Sequence, residues 1–111
     1  MNHKTIVFDI DGTICSQRDG DYENACPREE VIVIINKLAK DGHKIVIFTA
    51  RGMGTFDGDI VKAELRWRST TERQLAEWGV EYAGLGFGKP PADYYVDDRS
   101  IDLIKLYKEL E

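Results

Sequence analysis

Residues 4–14, KTIVFDIDGTI, constrain the chain more than any other stretch: an apolar run stops at two aspartates one residue apart, and a glycine follows. Residues 5–8 are β-branched and aromatic with no sustained polar alternation, which predicts a strand buried on both faces of a parallel sheet. In open α/β sheets, ligands collect beyond the carboxyl ends of the strands, where short loops hold side chains on a rigid support. Asp9 and Asp11 stand at that end. The question for the remaining chain is which residues pair with two carboxylates.

Residues 13–26, TICSQRDGDYENAC, carry the hairpin-turn dipeptide Asp19-Gly20 near their middle. Two readings fit: a small flap over the end of the first strand, bringing Arg18 and Tyr22 towards the acids, or an irregular polar loop. Pro27 then opens a helix with Glu29 and Glu30 in its first turn, where carboxylates suit the positive end of the dipole. Val31, Ile34, Ile35 and Leu38 form its inward stripe, and Asp41-Gly42 stops it. The next residues, KIVIFTAR, repeat the form of the first strand, so strand, helix and strand predict a right-handed parallel unit.

Residues 52–58, GMGTFDG, lack the spacing of a dinucleotide or P-loop fingerprint and predict a mobile loop. From about Asp59 the chain is helical, and a capping box of Ser69 with Glu72 predicts a break near Arg68 before a segment ending at Gly79. Trp67, Leu75 and Trp78 are assigned to packing. A short third strand comes next at 80–87, and Lys89-Pro90-Pro91 holds an extended loop because consecutive prolines forbid a helix. Tyr94, Tyr95 and Val96 predict a fourth strand ending at a second acidic pair, Asp97-Asp98. Ser100 caps a closing helix whose Leu103, Ile104, Tyr107 and Leu110 face inward.

A chain of 111 residues supports one domain, spanning 1–111, with a real core. A formal net charge of −5 disfavours a general nucleic-acid surface, since phosphate backbones are held by excess positive charge. No run is long enough to span a bilayer, and no charged-then-apolar export signal precedes the first strand; no membrane partner and a cytoplasmic location are expected. Cys15 and Cys26 are too far apart for a CxxC pair, so free thiols are expected, with Cys15 packed under the 13–26 segment.

Asp9 with Asp11, Thr49, Lys89, and Asp97 with Asp98 all fall at or just beyond predicted strand ends. In a doubly wound sheet the first and fourth strands flank the switch point, which gathers the four aspartates in one crevice. Like charges at close range raise one another's pKa, and hard oxygen ligands favour Mg²⁺ as the compensating cation, with Asp9, Asp11, Asp97 and Asp98 around it. Mg²⁺ also bridges carboxylates and phosphate oxygens in phosphoryl transfer, which makes a phosphorylated small molecule the expected partner.

The strings FDIDGT, IFTAR, GKP and YYVDD, in this order, resemble the haloacid dehalogenase-like superfamily of phosphohydrolases over nearly the whole chain. The second aspartate of FDIDGT resembles the phosphatase branch, and DGDYENACP with GKPPADYYVDD resembles the short capsule biosynthesis phosphatases of bacterial surface-polysaccharide pathways. The resemblance fits the doubly wound, Rossmann-like parallel sheet read above; the chain is expected to be capless, and the small flap after the first strand stays one of the two readings of residues 13–26. The resemblance implies that Asp9 is the nucleophile and becomes an aspartyl phosphate, and that Asp11 is the general acid and base. It implies Asp97 on the metal, Asp98 beside it, and Thr49 and Lys89 on the phosphoryl oxygens. The amide of Asp11 or Gly12 is a further donor. Arg51, two residues past Thr49, is placed either to contact substrate or to pair with a nearby acid. Asp102 either assists the metal or only suits the first turn of its helix.

Neither cap position of larger members has room here, so an open site is expected, closed by a large substrate or by a second copy in a homo-oligomer. Three other readings compete: a receiver-like phosphoacceptor, which needs its acceptor aspartate where this chain has Thr49; an inactive binding module; and a polynucleotide end phosphatase.

Overall fold

The computed structural model describes residues 3–17, 20–90, 92–94 and 99–110. Its sheet has three parallel strands in the order β1 (Thr5–Phe8), β2 (Lys44–Thr49) and β3 (Gly84–Phe87). Parallel neighbours require crossover connections, and two helices provide them: α1 (Glu29–Lys40) packs on β2, and α2 (Ile60–Glu77) packs on β3. The α/β class and the parallel sheet are those the sequence predicts. The fourth strand was expected at 94–96; Tyr95, Val96 and the acidic pair Asp97-Asp98 lie outside the described residues, and Tyr94 is irregular and exposed.

The core arises from the two periodicities. In β2, Ile45, Ile47 and Thr49 alternate inward, and in α1 Ile32, Ile35 and Leu38 recur at helical spacing. They meet Phe8 of β1, Ile10 and Ile14 just beyond it, and Leu75 of α2. Each isoleucine or leucine so buried stabilises the fold by roughly 1.5–3 kcal/mol.

Several local expectations are corrected. β1 is covered on one face: Phe8 is buried, whereas Val7 is 60% exposed. The first helix starts at Glu29 and not at Pro27, because the Arg28 amide donates to the Ile14 carbonyl at 2.8 Å and Pro27 bridges Cys15, which holds both residues extended. Residues 52–58, expected as a loop, form successive turns; the Gly58 amide reaches the Met53 carbonyl at 2.8 Å, and Met53 is buried. There is no break at Arg68. Asp59 caps α2 by accepting from the Lys62 amide, Arg68 pairs with Glu64 at 2.9 Å, and Glu72 faces Arg68 one turn on, so it is used as a helix-surface partner and not as a capping-box acid.

The third strand is limited to Gly84–Phe87, with Val80 buried ahead of it. The closing helix α3 (Leu103–Leu110) is capped by Asp102, whose carboxylate accepts from the Ile104 and Lys105 amides at 3.1 and 3.3 Å. Ser100 is therefore not the cap, and Asp102 has a sufficient structural role. A helix starting at Leu103 puts Leu103, Leu106 and Leu110 on the packed stripe, leaving Ile104 exposed.

Candidate active site

The turn after β1 is built around Ile10. Its side chain is fully buried, and its carbonyl accepts from the amides of Thr13, Ile14 and Cys15 at 3.1, 2.9 and 3.2 Å. Gly12 adopts φ +87°, a conformation that a residue with a Cβ reaches only under strain. With Ile10 and Ile14 anchored in the core, Asp9 and Asp11 are left on the open side. Gly12 itself is committed to this turn: its amide donates to the Cys15 carbonyl at 2.9 Å, and its carbonyl accepts from Arg28 Nη1 at 2.9 Å. In this arrangement its amide is not a free phosphate donor.

Asp9 and Asp11 line a cleft of about 420 Å³ together with Tyr22, Ala50 and Lys89. Lys89 Nζ lies 3.4 Å from Asp9 Oδ2, and the Ile10 amide donates to Asp9 Oδ1 at 2.9 Å. Even so, the Asp9 carboxyl is pushed above its ordinary value, because loss of hydration outweighs the attraction of Lys89 and that amide, and the Asp11 charge adds to the rise. The Lys89 amide donates to the Thr49 carbonyl at 3.2 Å, which pins the lysine loop to the end of β2. Thr49 is fully buried there. Its hydroxyl accepts from the Arg51 amide at 3.1 Å and keeps its own hydrogen to donate.

Arg51 turns inward. It is 1% exposed, and its Nε and Nη2 each hold one Asp11 oxygen at 2.9 Å. Nη1 donates to Thr71 Oγ1 at 3.0 Å and to Gln74 Oε1 at 2.7 Å. Of the two roles open to Arg51 in the sequence, the structure shows pairing with an acid: Arg51 is among the residues lining the cleft, and its planar fork is taken up by Asp11, Thr71 and Gln74. Cys15 lies against the same pair, and burial with the adjacent Asp11 pushes its thiol up to about 12, so it is a packed thiol and not a nucleophile at neutral pH.

The segment after the first turn is closed at its base, where the Ser16 amide reaches the Cys26 carbonyl at 2.8 Å and the Arg28 amide reaches the Ile14 carbonyl. A short 3₁₀ turn, Tyr22–Asn24, occupies it, and Arg18 and Asp19, the expected hairpin tip, lie outside the described residues. Tyr22 does reach the cleft. Its ring lies under the Arg51 guanidinium at 4.9 Å and meets Trp67 edge-on at 4.8 Å, and Glu23 pairs with Arg66 of α2 at 3.5 Å. The sequence reading missed Thr71 and Gln74. Their signal was two polar residues on the inward stripe of α2, beside Leu75, where burial demands polar partners.

The donor set suits a hard divalent cation. Asp9 is a half-buried carboxylate whose charge Lys89 does not fully offset, and carboxylate oxygens are the ligands Mg²⁺ takes. Among the described residues no three acidic, histidine or cysteine side chains cluster as a complete metal site. Asp97 and Asp98, expected beside Asp9, lie outside them. No helix among the described residues is long and apolar enough to cross a membrane.

Comparison with known proteins points the same way. The chain is similar to a protein from Vibrio cholerae known from its crystal structure, at 29% identity, covering 97% of this chain and 99% of that one with a TM-score of 0.83. A chain of the Pnkp1/Rnl/Hen1 RNA repair complex shares the fold at 20% identity and a TM-score of 0.58, over 97% of this chain and 30% of that one. So does D,D-heptose 1,7-bisphosphate phosphatase from B. bronchiseptica, complexed with magnesium and phosphate, at 15% identity and a TM-score of 0.54, over 81% of this chain and 52% of that one. No curated protein matches. The family model for haloacid dehalogenase-like hydrolases matches residues 6–63, which contain all of β1 but its first residue, the aspartate turn, α1, β2 and Arg51. The chain belongs to the haloacid dehalogenase-like hydrolases.

Proposed function

We propose that this single-domain hydrolase is a Mg²⁺-dependent phosphomonoesterase that acts on a small phosphorylated metabolite, a sugar phosphate of surface-polysaccharide synthesis being the first candidate. The observation that carries the reading is the pairing of Asp9 with Lys89 at the mouth of the cleft, with Asp11 two residues on and held from behind by Arg51. Asp9 attacks phosphorus and takes the phosphoryl group as an aspartyl phosphate while the ester oxygen leaves. Asp11 gives that oxygen a proton and then accepts one from the water that hydrolyses the aspartyl phosphate. Lys89 offsets negative charge on the transferring group, and the Thr49 hydroxyl offers a donor at the end of β2. Mg²⁺, held by Asp9 and the main-chain carbonyl of Asp11 together with Asp97 and Asp98, would supply further charge neutralisation when bound.

The open cleft fits a chain without a cap domain, and closure by substrate or by a second copy belongs to the same proposal. The fold shared with a member of an RNA repair complex supports one other substrate class, a phosphorylated polynucleotide end. Release of inorganic phosphate from sugar phosphates, nucleotides and 3′- or 5′-phosphorylated oligonucleotides, with Mg²⁺ and with chelator, tests the proposal. Mg²⁺-dependent release from a sugar phosphate, absent in Asp9→Asn, is expected. Undiminished release by Asp9→Asn would refute the mechanism, and release confined to oligonucleotides would refute the substrate class.

A further inference from the structure

Gln74 makes two hydrogen bonds to different parts of the site. Its Oε1 accepts from Arg51 Nη1 at 2.7 Å, and its Nε2 donates to the main-chain carbonyl of Tyr22 at 2.6 Å. The first partner is the fork that holds Asp11. The second belongs to the segment after the aspartate turn, whose Ser16, Gln17, Gly20, Asp21 and Tyr22 form one wall of the cleft. Gln74 is 3% exposed on a helix face otherwise used for packing, a place where an amide is costly unless both of its ends are bonded.

We propose that Gln74 is a positioning residue that ties the Tyr22 segment to the Arg51–Asp11 pair, so that contact between a substrate's leaving group and that segment sets the orientation of Asp11. The proposal rests on the reading of Asp11 as proton donor. The mechanical argument is the rigidity of the guanidinium. Nε and Nη2 each hold an Asp11 oxygen at 2.9 Å, so Nη1 cannot shift without tilting the plane that fixes the carboxylate. A displaced Tyr22 carbonyl pulls on the Gln74 amide, and the amide pulls on Nη1. Thr71 is the internal comparison: its hydroxyl accepts from the same Nη1 at 3.0 Å, and among the described residues it makes no hydrogen bond to the Tyr22 segment.

The test compares the whole wild-type chain with Gln74→Met and Thr71→Val. Hydrogen exchange at Arg51 Nε–H, followed by NMR of arginine-labelled protein, reports the fork without turnover. Steady-state kinetics on a hexose phosphate and on 4-nitrophenyl phosphate, whose leaving group departs without a proton, report Asp11. Gln74→Met is expected to exchange roughly tenfold faster or more. It is also expected to lose kcat on the hexose phosphate by roughly tenfold or more relative to the aryl ester, with KM little changed. Thr71→Val removes one acceptor of Nη1 but no bond to the Tyr22 segment, so it is expected to speed exchange less than Gln74→Met does and to slow the two esters alike. Exchange in Gln74→Met equal to wild type, or equal effects of the two substitutions, would overturn the coupling. If Gln74→Met does not fold, Gln74→Asn, which keeps the amide but shortens its reach by one methylene, carries the same comparison. A wild-type chain inert on both esters overturns the phosphatase reading instead, and the exchange comparison still decides the coupling.

Discussion

Replacing Arg51 by Met removes the charge while keeping most of the volume. Asp11 loses both of its 2.9 Å partners, and Thr71 and Gln74 lose theirs at 3.0 and 2.7 Å. Breaking a buried ion pair from one side costs about 3–5 kcal/mol, since the remaining charge is left uncompensated. The Asp11 side chain keeps 16% exposure, so water reaches it and about 3 kcal/mol applies. Gln74 Oε1 adds about 1 kcal/mol as a buried acceptor without a partner, while the Thr71 hydroxyl can turn to the carbonyl one helical turn back. The expected loss is therefore about 4 kcal/mol, or roughly 16 °C in Tm for a chain of this length. Urea melts followed by the fluorescence of Trp67 and Trp78 measure it. In a double-mutant cycle with Asp11→Asn, the pair should show a coupling of about 2–3 kcal/mol, because removing both charges leaves no orphan. A loss below about 1 kcal/mol, or additivity within about 0.5 kcal/mol, would refute the assignment of Arg51 as a buried partner of Asp11.

Asp9→Asn should abolish turnover yet raise Tm in chelator at neutral pH. Folding raises the Asp9 carboxyl above its ordinary 3.8, so its stability contribution is complete below that value and is lost as pH rises through the folded value. The gain in Asp9→Asn should accordingly vanish in melts below about pH 3.8, and a gain unchanged at that pH would be the contrary result. Titration of native protein with an aromatic disulfide should count Cys26 rapidly and Cys15 only after unfolding, since Cys15 is buried with its thiol pushed up to about 12. Gly52→Ala should lower Tm: at φ +79° its Cβ would come within 2.9 Å of Trp67 Cδ1 and 3.0 Å of the Ala63 backbone, an overpacking cost of about 1–3 kcal/mol before strain.

The patterns legible in the sequence were those that depend on near neighbours. The inward alternation of β2, the stop at Asp41-Gly42 and the acids at the end of β1 each rest on a few adjacent residues, and each is found where it was read. Lys89 was legible because two prolines follow it in the sequence and forbid a helix there, and it does meet Asp9. The errors came where a local signal lost to a distant partner. Ser69 and Glu72 had the spacing of a capping box, but the buried stripe of Ala63, Thr71 and Leu75 keeps α2 continuous through them. Pro27 had the look of a first helical residue until the bonds on either side of it, the Arg28 amide to the Ile14 carbonyl and the Ser16 amide to the Cys26 carbonyl, claimed its neighbourhood. Gly12 looked like a phosphate donor, and its amide went instead to Cys15, a pairing set by how the turn folds back.

Asp9 and Asp11 are chemically identical and stand two apart, so residue chemistry alone does not distinguish them, and in the sequence only the resemblance of FDIDGT gives them different parts. The loops that leave the other two strands make the distinction. The loop after β3 brings Lys89 to Asp9 from the cleft side, where burial keeps the carboxylate short of compensation. The loop after β2 brings Arg51 to Asp11 from the core side, where α2 holds the guanidinium through Thr71 and Gln74. One acid, the nucleophile of the proposed mechanism, is thus left facing the cleft with Lys89 beside it. The other is held through both oxygens by a guanidinium fork, which on the proposed mechanism sets the direction of the group that exchanges protons with the leaving oxygen and water. On the proposed mechanism, exchanging the two aspartates' roles would require exchanging the loops, so the proposed roles depend on which loop reaches each acid more than on the motif that carries them.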